Sequence, residues 1–228
     1  MSENTPPSAF NPMPPVIVAL FAVIAGLELV FSLGTLGLFG GADASSWRFL
    51  AIERYGVNTS LFSWMLENKH YPIEHLLRFI SFSFLHQSMI STAVSCALLL
   101  AIGKMVGSAF SGPAVLAFFV GSAAVGAVCY GLAAPEGAWL FGSFTGIYGL
   151  IGAYTFMMWV TLKVHNAPPG QAFSLIALLM AVQLVFEILF GGTKTWIADI
   201  IAFFTGFVLA CFFVPGGIGR VLELMRRK

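Results

Sequence analysis

Three acids interrupt the apolar stretches of this 228-residue chain, Glu28, Glu187 and Asp199. An ionisable side chain at membrane depth is costly and usually faces a partner or water. Two readings fit them: a proton or ion path through Glu28, Asp199 and Glu187, or separate local hydrogen bonding of each acid. Asp199 falls near the start of its apolar segment, where a helix dipole favours a carboxylate. Two hydroxyls, Ser143 and Thr145, flank Phe144, and either is a candidate nucleophile if a base stands across from it. On a helix each is turned about 100° from Phe144, so neither inherits its direction. Ser91 and Ser95 stand four apart. Such hydroxyls can each donate one hydrogen bond to an oxyanion, or bond back to a backbone carbonyl or a neighbouring helix. His70, His75 and His165 show no ligand spacing, so neither a metal site nor a cofactor is expected. The chain has no phosphate-cradling loop and no basic-aromatic patch, so nucleic acid is not an expected partner.

The elements that position these groups are membrane helices. The chain is 58% hydrophobic and 9% charged, with mean hydropathy +0.90, whereas soluble domains are about a quarter charged. Six apolar segments are predicted to span the roughly 30 Å of hydrocarbon, at about 16–36, 87–106, 113–134, 139–162, 172–190 and 196–214. A polar, Pro-rich segment (1–15) precedes the membrane domain (16–214), and a basic tail (215–228) follows it. The first segment lacks the basic flank and small-residue cleavage site of a secretory signal, so the first span is expected to remain as an anchor. The three cysteines lie within apolar runs and read as small core residues. The first loop, about 40–80, carries apolar residues at helical spacing, Phe49 with Ile52 and Leu61 with Met65, consistent with interfacial helices or with an ordinary packed loop. Lys104, Lys163, Arg220, Arg226, Arg227 and Lys228 fall on one side of the predicted spans, which places both termini in the cytoplasm by the positive-inside rule. The expected location is a bacterial inner (plasma) membrane.

Within the fourth span, Gly142, Gly146, Gly149, Gly152 and Ala153 recur three or four apart, the pattern of a closely packed central helix. On the sixth, Ala198, Ala202, Gly206 and Ala210 form a matching stripe of small residues.

The run from Gly142 to Tyr154, Gly-Ser-Phe-Thr-Gly-Ile-Tyr-Gly-Leu-Ile-Gly-Ala-Tyr, resembles the fourth transmembrane helix of rhomboid intramembrane proteases. In that pattern, Gly-x-Ser-Gly precedes an aliphatic Tyr-Gly-Leu-x-Gly-Ala stretch. Gly142 matches the first Gly, while the nucleophilic Ser position falls on Phe144 and the next Gly on Thr145. Arg78 to His86 resembles the family's Trp-Arg … Phe-x-His, with Leu77 in place of the Trp. Ser91 and Ser95 stand where the family has an oxyanion-binding His and Asn. Trp196 to Phe207 resembles Ala-His-x-x-Gly-Phe-x-x-Gly, with Asp199 at the general-base His, Ala202 at the first Gly and Gly206 at the last.

The resemblance implies an all-α membrane protein, a six-transmembrane-helix rhomboid-like bundle with interfacial helices in the first loop. It implies structural roles for Arg78 and His86, and helix packing through Gly142, Gly146, Gly149, Ala202 and Gly206. A benzyl group cannot attack a carbonyl, and a carboxylate lacks the imidazole's capacity to take and return a proton near pH 7. The expected function is therefore that of a pseudoprotease, which binds membrane lipid and the transmembrane helices of other membrane proteins. Two alternatives stay open: an intramembrane serine or threonine endopeptidase, with Thr145 in the Ser position if the register slips by one, and a small transporter using the intramembrane acids.

Overall fold

The computed structural model describes residues 12–38, 40–190 and 194–213. Most of the expected N-terminal segment, the 215–228 tail and the side chain of Glu187 lie outside the described residues.

Helix α1 (Pro15–Thr35) opens on a proline, tolerated there because the first-turn amide would have no intrahelical partner. The first loop then folds into α2 (Trp47–Tyr55), α3 (Thr59–Asn68) and α4 (Ile73–Ser81), with a two-residue strand β1 (Val57–Asn58) between α2 and α3. Asn58 caps α3, its Oδ1 accepting the Leu61 amide at 3.1 Å. In α4 the residues Ile73, Leu76, Leu77 and Ile80 are all exposed. At i, i+3, i+4 and i+7 they form one apolar stripe turned outward, the arrangement of a helix resting in the headgroup region. The sequence suggests only two helical segments in this loop. The stretch that leads toward His86 forms the third.

The remaining helices are α5 (Met89–Ala109), α6 (Gly112–Ala133, with a π turn at Ala117–Gly121), α7 (Phe144–Val164), α8 (Ser174–Phe190) and α9 (Trp196–Phe213). Helices α1, α5, α6, α7 and α9 are long and apolar enough to cross a membrane. At 17 residues α8 is shorter; it rises about 26 Å, at the low end of what spans hydrocarbon. The architecture is an all-α membrane bundle with an interfacial layer on one end.

The span expected at 139–162 starts later than hydropathy suggests. Trp139–Leu140 is a short strand β2, antiparallel to β1, with Val57 opposite Leu140 and Asn58 opposite Trp139. Gly142 then adopts φ +112°, a conformation L side chains rarely tolerate, and its N–H donates to the Phe82 carbonyl at 2.9 Å. The helix cannot begin until this turn is complete, so Gly142, expected to pack helices, is a turn residue ahead of α7.

The other small residues lie on the central packing surface. Helix α7 is buried along Gly146, Gly149, Gly152 and Ala153 between α6 and α9. A β-carbon on Gly146 would lie 2.7 Å from the Phe119 ring, and one on Gly149 would lie 2.5 Å from the Ser122 Cβ. Across the α7–α9 contact, a β-carbon on Gly206 would run into the Gly149 carbonyl, and one on Gly152 into the Phe203 carbonyl. Ala198, Ala202 and Ala210 are fully buried on the same face of α9. In lipid, where apolar surface gains little by leaving its solvent, backbone approach of this kind holds helices together through packing and weak hydrogen bonds. A second cluster, around Phe62, Met65, Phe79, Phe82 and Tyr130, seats the first-loop helices on α6.

Candidate functional site

Asp199 sits on the first turn of α9, 3% exposed. Its Oδ1 accepts the Thr145 hydroxyl at 2.9 Å, and its Oδ2 accepts the Gln183 amide at 2.8 Å. The Tyr148 hydroxyl donates to Gln183 Oε1 at 3.2 Å. Thr145 and Tyr148 lie on the first turns of α7 and Gln183 lies on α8, so one carboxylate joins three helices. The helices place it there because α7 and α9 approach backbone to backbone at Gly149 and Gly206, which brings their first turns within side-chain reach. Among the described residues, no Lys, Arg or His side chain pairs with Asp199.

This network forms the polar wall of a cavity of about 460 Å³. Val94 and Leu98 of α5 line one side and Leu179 and Val182 of α8 the other, with Phe144 among the residues between. Val94 and Val182 are each about half exposed, so the cavity opens sideways toward lipid between α5 and α8. Phe144 lies partly buried against the central core and presents its ring to the cavity beside Thr145 and Asp199.

The residues at the oxyanion positions of the resemblance are not gathered here. The Ser91 amide is capped by Ser88 Oγ at 3.2 Å, and Ser91 does not line the cavity. Ser95 is fully buried, its hydroxyl without a hydrogen-bond partner among the described residues, and it too lies off the cavity wall.

His86 belongs to a neighbouring cluster, where the other candidate hydroxyl is found. Ser143 is the residue before α7, fully buried, with its Oγ 3.0 Å from His86 Nε2 and its backbone N–H directed at the same nitrogen at 3.3 Å. An amide can only donate, so Nε2 is the acceptor and the imidazole is neutral. Burial holds the His86 pKa down to about 4, against the smaller pull of Glu28 in the opposite direction. Ser143 and His86 thus tie the start of α7 to the loop before α5, away from Asp199.

Glu28 has the partner that the sequence does not disclose. Arg48, from the start of α2, grips both carboxylate oxygens (2.6 and 2.8 Å) and donates to the His86 carbonyl at 3.0 Å. Thr92 and Ser32 complete the cage at 2.7 and 2.8 Å. Arg78 fastens the interfacial layer in a similar way, donating to the Glu53 and Gly56 carbonyls at 2.8 and 3.2 Å. Gln183, Tyr148 and Arg48 were not singled out from the sequence. The signal for Gln183 is an amide in the middle of an apolar run, facing the same kind of burial cost as the acids.

Residues 74–216 match the family model for the Rhomboid domain, more than half of the chain. The chain belongs to the rhomboid family. Nothing matches among the curated proteins. The matched region of this rhomboid runs from α4 through α9 and holds Phe144, Thr145, Gln183 and Asp199. It is a multi-pass integral membrane protein, in contact with lipid along its outward faces.

Proposed function

We propose that this rhomboid does not cleave peptide bonds and instead holds transmembrane segments of partner membrane proteins in the cavity between α5 and α8. One observation carries this reading: the side chain facing the start of α7 from α9 is a carboxylate with both oxygens engaged, by Thr145 and Gln183. Peptide hydrolysis needs a base that takes the nucleophile's proton and returns it to the leaving amine, a task matched to imidazole rather than to carboxylate. The family's nucleophile position falls on Phe144, an apolar residue that lines the cavity instead. The sideways opening, with apolar walls from two helices, fits a guest helix arriving through lipid.

The Thr145–Asp199 hydrogen bond favours a second reading, a threonine endopeptidase with Asp199 as base. Against it, neither Ser91 nor Ser95 lines the cavity to stabilise an oxyanion. A transport role is weakly supported, because Glu28 is caged by Arg48, Thr92 and Ser32. We place both termini in the cytoplasm, with Lys104 and Lys163 near the ends of α5 and α7 that lie away from the first loop. A bacterial inner membrane remains our assignment of location.

Purified protein incubated with a rhomboid reporter substrate, and separately with a fluorophosphonate probe, tests the reading. The expected result is no cleavage or labelling above a protein-free blank, in the unaltered protein as in Thr145→Ala and Ser143→Ala. Specific cleavage abolished by Thr145→Ala would overturn the non-proteolytic reading and establish the threonine mechanism.

A further inference from the structure

We infer that the guest helices this cavity favours carry a basic residue, a lysine or arginine, inside their apolar run. The inference deepens the helix-holding reading and rests on it.

Asp199 is a buried acid on the wall of a laterally open cavity, and its two hydrogen-bond donors, Thr145 and Gln183, are both uncharged. The other acid placed within a described span, Glu28, shows what this fold does when an ion pair is intended, because Arg48 comes in from the loop to meet it. No such cation reaches Asp199 from the described residues. A carboxylate has about four lone-pair sites, of which Thr145 and Gln183 take two. Asp199 is itself one of the residues that line the cavity. The rest of the lining is almost wholly apolar, with Thr145, Tyr148, Gln183 and Thr195 as its other polar groups. Those four are neutral, so the field in the cavity is set by Asp199. At low effective dielectric an ammonium or guanidinium brought alongside is strongly favoured, and a second carboxylate is repelled.

The depth of the site sets how large the preference should be. Asp199 is the fourth residue of α9, one turn from the end nearest the first loop. A lysine at that level in plain lipid escapes part of its cost by snorkelling to the interface. The cavity therefore competes with a partly satisfied lysine, and the expected preference is about tenfold rather than several hundredfold.

The test uses full-length protein in liposomes, with a photoreactive benzophenone amino acid at position 182 on the α8 rim of the cavity. The guests are synthetic single-span Leu/Ala peptides that differ at one position, one turn inside the membrane, as Lys, Met or Glu. The expected result is crosslinking of the Lys guest about tenfold above Met, with Glu below Met. In Asp199→Asn, which keeps the shape and an oxygen for Thr145, the Lys preference should vanish while Met crosslinking persists. Because the Lys-against-Glu comparison is also made in unaltered protein, it does not depend on the variant folding. Equal crosslinking of all three guests would overturn the inference and leave the helix-holding reading standing. Absence of crosslinking to any guest above a soluble control peptide would overturn both.

Discussion

Substitution of Gly206 by alanine adds one methyl group at the closest approach in the bundle. The new β-carbon would lie 2.7 Å from the Gly149 carbonyl carbon and 2.8 Å from its Cα, and nearer still to the carbonyl oxygen. All three atoms are backbone, so no rotamer change relieves the clash, and α9 must move away from α7. Restoring ordinary separation requires a shift on the order of 1 Å, and overpacking of this kind costs about 1–3 kcal/mol. The displacement also has a polar consequence. Asp199 lies seven residues earlier on the same face of α9, and its 2.9 Å bond to Thr145 would stretch beyond hydrogen-bond range. That adds about 1 kcal/mol, for a total of about 2–4 kcal/mol. At roughly 2–4 °C per kcal/mol for a chain of this size, the thermal midpoint in detergent should fall by about 4–16 °C. Gly26→Ala is the matched control, since a β-carbon there meets nothing within 4 Å. Its midpoint should hold or rise slightly, as expected for alanine replacing glycine in a helix. Equal midpoints for Gly206→Ala and Gly26→Ala would refute the claim that backbone contact between α7 and α9 holds the bundle.

Two further predictions concern the charged and titratable groups near the first loop. Arg48→Ala leaves Glu28 with hydroxyl partners only and should destabilise the protein by about 3–5 kcal/mol, while a double variant with Glu28→Met and Arg48→Met recovers much of that loss; thermal midpoints of the unaltered protein and the two variants decide it, and a double variant no better than Arg48→Ala would count against the pairing. For His86, the folded state disfavours the proton, so an unfolded chain takes it up first as pH drops. The stabilisation is complete above about pH 6.5 and is lost as pH falls toward about 4, by about 3 kcal/mol at most. A pH series of thermal midpoints between 7.5 and 4.5 should show this slope, flattened in His86→Phe; an unchanged slope in that variant would remove His86 as its source.

The bundle was legible in the sequence because the length of an apolar run is itself a physical requirement of the bilayer, and the stripes through Gly149 and Gly206 mark which faces meet. What hydropathy could not register was the start of α7. Trp139 and Leu140 are as apolar as the helix that follows, and they are held extended by pairing with Asn58 and Val57, far back in the chain. The same holds for the site. Asp199 and Thr145 each stood out, but their hydrogen bond depends on the relative rotation of two helices, which neither sequence segment encodes alone. Arg48 was hidden for a different reason: it lies in a loop where charge is ordinary, twenty positions along the chain from Glu28.

The small pairing of β1 with β2 constrains the order of assembly during synthesis. Val57 is made some eighty residues before Leu140, its partner, and the surface of α6 that seats the first-loop helices is likewise made later. At about 5–20 residues per second the interval is roughly 4–16 s. For those seconds β1 has only water and headgroups to satisfy its ladder amides, and the pair is completed when the growing chain returns from its third crossing.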